Sequence, residues 1–319
     1  MAKVRKAVIT AAGRGTRQYP ASTAVQKEMF PLVDRDGLTK PVVQIIGEEA
    51  IDSGIEEICI ITAPGEEKIY REYFRRLDDN LVRSFRGKDW AILESEKLQA
   101  FGERLHFAEQ HNPEGFGHAV YQSKRFVGDE PFLLMLGDHI YISDIKDRCA
   151  RQLIRIYEQY MLDVVVGVQP TLERLLHLFG VIKGDPIDAV KGIYKSQLIH
   201  EKPQVDFARD NLVTPMLPAG NYLALFGMYV FSPGIFDSIE HHIQHNIRDK
   251  GEIQLTNAME HMRKASPDKF WAVTIQGQRY DTGIPYGLME TQLALALNGV
   301  HRTDICEAIA RILAMQVKN

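Results

Sequence analysis

The chain has 319 residues, 45% of them apolar and 25% charged, with a formal net charge of −4. That composition gives a soluble globular class with room for one large domain or two ordinary ones, and it excludes a disordered or fibrous chain. The acidic balance excludes general nucleic-acid binding, no apolar run approaches membrane-spanning length, and the three cysteines Cys59, Cys149 and Cys306 make neither a disulfide framework nor a metal-ligand spacing. The expectation is a cytoplasmic protein with no nucleic-acid and no membrane partner.

Residues 6–17 read as a buried strand, with β-branched Val8, Ile9 and Thr10, running into a turn that carries Gly13, Arg14, Gly15 and Arg17. Glycines let a backbone approach an anion closely, and turn N–H groups then point at it, so this is a candidate phosphate-holding turn. The third glycine of a dinucleotide fingerprint and the Gly-Lys-Ser/Thr of a P-loop are both absent. Residues 1–40 hold eight Lys/Arg against three acids, a local +5 that leaves −9 for the remainder. A basic end on an acidic protein suits a small anionic ligand better than a polymer.

Pro20 and Pro31 place Lys27 on a loop returning to the sheet. Residues 41–52 read as a helix with proline in its first turn and Gly54 past its end. A strand at 57–62, a charged helix at 65–76, one or two helices in 77–104, a strand at 105–110 and a helix at 115–125 follow. Phe132-Leu133-Leu134-Met135-Leu136 is a continuous apolar run ending in Gly137-Asp138, a buried strand with a carboxylate at its carboxyl end. In open α/β sheets that is where ligands bind. A helix at 144–160 and a strand at 164–168 precede short strands at 179–182, 190–194 and 198–199. A strand at 222–231, helices at 233–245 and 254–264, a strand at 270–275 and closing helices at 285–297 and 304–317 complete the chain. Ile305, Ile309, Ile312 and Leu313 recur at helical spacing, which predicts one packed face on the last helix. Alternating strands and helices predict an α/β fold with a parallel sheet between helical layers. No repeat or linker divides the chain, so 1–319 reads as a single unit.

Two carboxylates stand out: Asp138 at its strand end, and Asp281 between an aromatic residue and Thr282-Gly283. Magnesium takes one or two protein carboxylates and leaves its other positions to water and phosphate oxygens, although Asp-Thr-Gly is also ordinary turn chemistry. Glu201-Lys202-Pro203 sets an acceptor beside a cation, held extended by the proline. The carboxylate suits sugar hydroxyls and the ammonium a phosphate, while an exposed ion pair is the plainer account. His241 and His245 stand four apart on a helix but lack the glutamate of the zinc-protease pattern, so they read as a polar helix face.

Taken in order, Gly13-Arg14-Gly15-Thr16-Arg17, Lys27-Glu28-Met29, Gly137-Asp138, Glu201-Lys202-Pro203 and Asp281 resemble the bacterial sugar nucleotidyltransferases over residues 4–298. Lys27–Val33, Gly117-His118-Ala119-Val120 and the segment 251–258 look most like the uridylyltransferases among them. The resemblance implies a Rossmann-like three-layer α/β fold with a mostly parallel mixed sheet. It implies a nucleotide-binding part over 1–170, a sugar-binding part over 171–284 and closing helices over 285–319. It also implies transfer of a nucleotidyl group from a nucleoside triphosphate, UTP in that subgroup, to a sugar 1-phosphate such as glucose 1-phosphate, with release of pyrophosphate.

By position, Arg17 and the backbone of Gly13, Gly15 and Thr16 hold the triphosphate, and Lys27 stabilises the transferring phosphoryl group. Asp138 and Asp281 hold Mg²⁺, Lys202 faces the sugar phosphate, and Glu201 and Gly180 bind the sugar. Ala11, Ala12, Glu28, Gln110 and Gly115 line base and ribose. The family also implies a homodimer or homotetramer. Three departures stand out: Gly137 replaces the proline usual before the metal aspartate of uridylyltransferases and looks more like the thymidylyltransferases, Asp34 to Thr39 looks inserted, and 211–221 looks long. A regulatory paralogue resembling this family loses the Gly-Thr-Arg segment that Gly15-Thr16-Arg17 keeps here, and a dinucleotide oxidoreductase needs an acidic residue where Thr62-Ala63-Pro64 stands.

Overall fold

In the computed structural model, which describes residues 3–85 and 88–316, the apolar runs of the sequence become strands. They are β1 (Lys6–Thr10), β2 (Pro31–Val33), β3 (Thr39–Pro41), β4 (Glu57–Thr62), β5 (Leu105–Glu109), β6 (Phe132–Leu136), β7 (His139–Ser143), β8 (Val164–Leu172), β9 (Val181–Asp188), β10 (Ile193–His200), β11 (Asn221–Phe231), β12 (Phe270–Thr274) and β13 (Gly277–Asp281). Nine of them form one sheet in the order β5-β4-β1-β6-β11-β8-β12-β10-β9. β1, β4, β5 and β6 are mutually parallel, β8 and β12 pair in parallel, and only β10 and β11 run against the other strands of the sheet. β9 also meets β11 at Leu223↔Ile182 and Ala224↔Val181, so the far end of the sheet curls back on itself.

Both faces of the sheet are buried, which is why its central strands carry no polar alternation. On β1, Ala7 and Ile9 face one apolar cluster and Val8 faces another. The first cluster takes Val42, Ile46, Leu153 and Ile154 from helices Val42–Asp52 and Cys149–Tyr160. The second takes Val120, Phe236, Ile239 and Met259 from helices Phe116–Tyr121, Gly234–Gln244 and Leu255–Ala265. Helix, sheet and helix are thus the three expected layers, and the strand ends of β1 and β6 are held rigidly between them.

Several expectations change. Lys27 sits in a short 3-10 helix, Lys27–Met29, that leads not to the main sheet but into the β2–β3 hairpin. The apparent insertion is that hairpin's turn: Lys40 Nζ, buried, meets Asp34 at 2.9 Å, Asp36 at 2.6 Å and Glu48 at 2.8 Å, and their hydrogen bonds raise its pKa against the opposing effect of burial. The expected helix 115–125 is broken into Phe116–Tyr121 and Lys124–Val127, and the expected helix 144–160 starts at Cys149 because 139–143 form β7. The three short strands of 179–199 are one long hairpin, β9–β10. The last helix runs Arg302–Gln316, and its expected residue 317 lies outside the described residues. Its packed face is incomplete in the single chain: Ile312 and Leu313 are 55% and 61% exposed.

Candidate active site

β1 and β6 pair with Thr10 opposite Leu136, so the loops that follow them emerge side by side. The Gly137 N–H donates to the Thr10 carbonyl at 3.0 Å, and a Cβ at Gly137 would stand 2.4 Å from that oxygen. A proline there could not donate and would collide, which accounts physically for glycine before Asp138 in this chain. The loop after β1 turns at Gly15, with a left-handed φ of 61°, and packs on the stem of Lys27. A Cβ at Gly13 would lie 3.4 Å from Lys27 Nζ. Small residues here therefore keep the ammonium at the floor of the loop.

Lys27 Nζ donates to Asp138 Oδ2 at 2.7 Å and stands 3.6 Å from Glu28. Burial acts to lower the lysine pKa, but the Asp138 and Glu28 carboxylates outweigh it and leave it raised. Asp138 is buried too; the hydrogen bond and charge of His139 and the charge of Lys27 overcome that burial and hold its carboxyl far below the usual carboxylate range. Asp281 arrives on β13, opposite His139 on β7. Thr282 donates to the Asp138 carbonyl through both N–H and hydroxyl, at 2.8 and 2.9 Å, which fastens the two aspartates to each other. A Cβ at Gly283 would stand 2.8 Å from Asp138 Oδ2 and 2.9 Å from Asp281 Oδ1, so glycine is what lets the carboxylates converge. Arg17, half exposed, reaches both: 3.9 Å to Asp138 and 3.6 Å to Asp281.

Ligand atoms of Asp138, His139 and Asp281 all lie within 4.8 Å of one another. Two ionised oxygen donors side by side fit a hard divalent cation such as Mg²⁺. His139 was not foreseen; its Nδ1 lies 2.8 Å from Asp138 Oδ1, where it orients the carboxylate. The helical histidines are elsewhere: His241 stacks on His261 of the neighbouring helix with ring centroids 4.6 Å apart.

Two cavities meet at Asp138. The first, about 370 Å³, is lined by Ala12, Gly13, Lys27, Gln110, Gly115 and Asp138 among others. Gln110 Nε2 donates to the Gly115 carbonyl at 3.2 Å, and Gly115, at φ 115°, lies so close to Glu252 and Ile253 that a Cβ would stand 2.8 Å from them. Ala11, Gly15, Thr16 and Glu28 do not line it; Glu28 is buried behind Lys27. The second cavity, about 380 Å³, brings Arg17, Gly180, Glu201, Lys202, Asp138 and Asp281 together across the sheet. Thr256 Oγ1 donates to Glu201 Oε2 at 2.6 Å, and Lys202 Nζ stands 3.5 Å from Glu201. The proline was expected to hold Lys202 extended. Lys202 instead takes a left-handed φ of 43° and its N–H donates to the Phe179 carbonyl at 3.1 Å, a turn that overrides the pre-proline preference. Thr256 and Arg279 also line this cavity; Thr256 lies in the segment 251–258 that the resemblance marks without giving it a role, and Arg279 carries no sequence motif.

A family model described as nucleotidyl transferase matches residues 6–296. A UTP–glucose-1-phosphate uridylyltransferase of Bacillus subtilis (strain 168) is 37% identical over 306 residues, 95% of either chain. Among solved structures, a UTP-bound UGPase from Acinetobacter baumannii is similar with a TM-score of 0.76 and 27% identity, over 96% of this chain and 99% of that one. A UDP-glucose pyrophosphorylase complexed with UDP-glucose is similar with a TM-score of 0.72 and 27% identity, over 91% of this chain and 98% of that one.

Proposed function

Because the chain belongs to the nucleotidyl transferase family, we propose that it transfers a uridylyl group from UTP to glucose 1-phosphate, releasing pyrophosphate and forming UDP-glucose. The observation that carries this is the pair of cavities with Asp138 in the wall of both. A triphosphate in the first and a sugar phosphate in the second would meet at that residue. The sugar phosphate oxygen attacks the α-phosphorus in line, the bond to the β-phosphate oxygen breaks, and no covalent enzyme intermediate is needed. Catalysis is then a matter of holding two polyanions in line and neutralising charge as it moves.

The backbone of Gly13 holds the triphosphate in the first cavity and Arg17 meets it from the wall of the second; Ala12, Gln110 and Gly115 form the base and ribose side, while Ala11, Gly15, Thr16 and Glu28, which the resemblance also implies, stand outside that lining. Lys27 is released from Asp138 toward the α-phosphoryl oxygens when substrate arrives, a cation already in place and buried where its charge counts most. Lys202 faces the sugar phosphate; Glu201, oriented by Thr256, accepts from sugar hydroxyls, and Gly180 offers its N–H. Asp138 and Asp281 hold Mg²⁺, which supplies charge neutralisation at the phosphate oxygens when bound.

Residues 1–170 serve the nucleotide, 171–284 the sugar, and 285–319 close a single unit. The exposed Ile312, Leu313 and Met315 on helix Arg302–Gln316 favour a homodimer or homotetramer, which light scattering of the purified protein tests. No helix among the described residues is long and apolar enough to cross a membrane, in keeping with a cytoplasmic enzyme that meets only small-molecule substrates. The direct test of the activity is chromatographic detection of UDP-glucose from UTP, glucose 1-phosphate and Mg²⁺. Its absence from active-site-intact, folded protein would overturn the assignment.

A further inference from the structure

Arg279 has no part in the scheme above. It lies on β13 two residues before Asp281, so both side chains project from the same face of the strand, and the register sets Arg279 opposite Tyr141 and Asp281 opposite His139. Arg279 lines the cavity that holds Glu201, Lys202 and Asp281. The Cζ atom lies 3.9 Å over the Phe179 ring, and Nη1 donates to the Leu225 carbonyl. These contacts fix the plane of the group but use one of its five N–H donors.

No described carboxylate stands within ion-pair distance of Arg279, whereas part-buried Arg148 pairs with both Glu49 and Asp52. The Arg279 side chain is itself part-buried. A cation withdrawn from water without a counter-charge costs stability, and that cost is offset when an anion enters from outside. Lys202, the other cation at this end of the cavity, is half exposed and leans on Glu201. It is a mobile point charge, where a stacked guanidinium presents a fixed fork that matches two phosphate oxygens.

We propose that Arg279 is a second phosphate-binding residue for the sugar 1-phosphate, facing Lys202, and that the two together make the phosphate a condition of sugar binding. This rests on the assignment of the second cavity to the sugar phosphate. The anion is favoured over a sugar hydroxyl because Glu201, an acceptor, already serves the hydroxyls, while Arg279 can only donate. Phe179 and Leu225 flank Gly180, so the same contacts that aim the guanidinium also brace the Gly180 peptide.

The test uses full-length wild type, R279Q and R279K, with UTP binding measured by calorimetry in the absence of sugar phosphate as the control for an intact nucleotide side. The expected result is a KM for glucose 1-phosphate raised roughly 10- to 100-fold in R279Q, the loss that accompanies hydrogen bonds to a charged group. UTP affinity should stay within about threefold of wild type, and R279K should fall between the two. An unchanged KM for glucose 1-phosphate in R279Q that still binds UTP would overturn the proposal. So would equal losses of UTP affinity and sugar-phosphate KM, which is the mark of a brace and not a ligand. Should R279Q fail to fold, R279K decides: it keeps the charge and loses the fork, and a wild-type KM in that variant refutes the bidentate contact. Wild-type protein that turns over no sugar phosphate at all refutes the parent assignment instead, so the two failures are distinguishable.

Discussion

Replacing Glu28 by glutamine should stabilise the protein, and increasingly so as pH rises. Glu28 is 1% exposed, its Oε1 has no hydrogen-bond partner among the described residues, and Lys27 Nζ stands 3.6 Å away. Burial pushes its pKa up to about 8 from an ordinary 4.5, with Lys27 opposing. Between those values the folded protein keeps a proton that the unfolded chain has released. The unfolded state therefore binds fewer protons there, and stability falls as pH rises through the window and levels off above about pH 8. At about 1.4 kcal/mol per unit the accumulated loss is roughly 4–5 kcal/mol. Glutamine has the same shape and no ionisation, so the advantage of Glu28→Gln over wild type should grow by roughly 3–5 kcal/mol between about pH 5 and pH 8.5. Urea unfolding of both proteins at several pH values in that range measures it. Parallel stability curves would mean that Glu28 is ionised at neutral pH and paired with Lys27, and would refute the reasoning.

Lys27→Ala and Asp138→Asn should each lower turnover at least about a hundredfold, the usual loss on removing a preorganised charge; near-wild-type pyrophosphate release from either purified variant would remove that residue from the mechanism. Excess EDTA should abolish turnover and added Mg²⁺ restore it, and activity undiminished by EDTA would contradict a metal held by Asp138 and Asp281. Thr256→Val removes the 2.6 Å bond that orients Glu201 and should raise the KM for glucose 1-phosphate about tenfold while leaving that for UTP unchanged. Equal effects on both would show that Thr256 serves the fold and not the sugar.

The parallel half of the sheet was legible because its strands are buried on both faces. Phe132–Leu136 is an unbroken apolar run and Glu57–Thr62 encloses another, Ile58–Ile61, and both are strands with the expected bounds. β7 and β13 were not legible. They are short and half polar, and they pair only with each other, 134 or more positions apart in the chain for each bridged pair. The β9–β10 hairpin was fragmented in the sequence by Gly184, Pro186 and Gly192, which a curled, bulged pair of strands tolerates.

At the site, Arg17 and Asp138 could be marked in advance because glycines or a strand end announce them, and Lys27 through the resemblance of Lys27-Glu28-Met29; the structure gathers them around one carboxylate pair. The roles of Arg279, Thr256 and His139 carry no such signal, although Thr256 lies in the marked segment 251–258, because what places these side chains is strand register and helix docking. Lys202 shows the converse: its neighbour Pro203 argues for extended backbone, and a hydrogen bond to the Phe179 carbonyl, in the loop just before β9, decides otherwise.

The central claim is a uridylyl transfer across Asp138 between two adjoining cavities. Pyrophosphate release measured with UTP, dTTP, ATP and CTP, each crossed with several sugar 1-phosphates in the presence of Mg²⁺, tests it most directly. The account predicts the highest turnover for UTP with glucose 1-phosphate, lost in Lys27→Ala. Preference for dTTP would move the assignment to thymidylyl transfer, and no pyrophosphate from any pair would contradict catalysis at this site altogether.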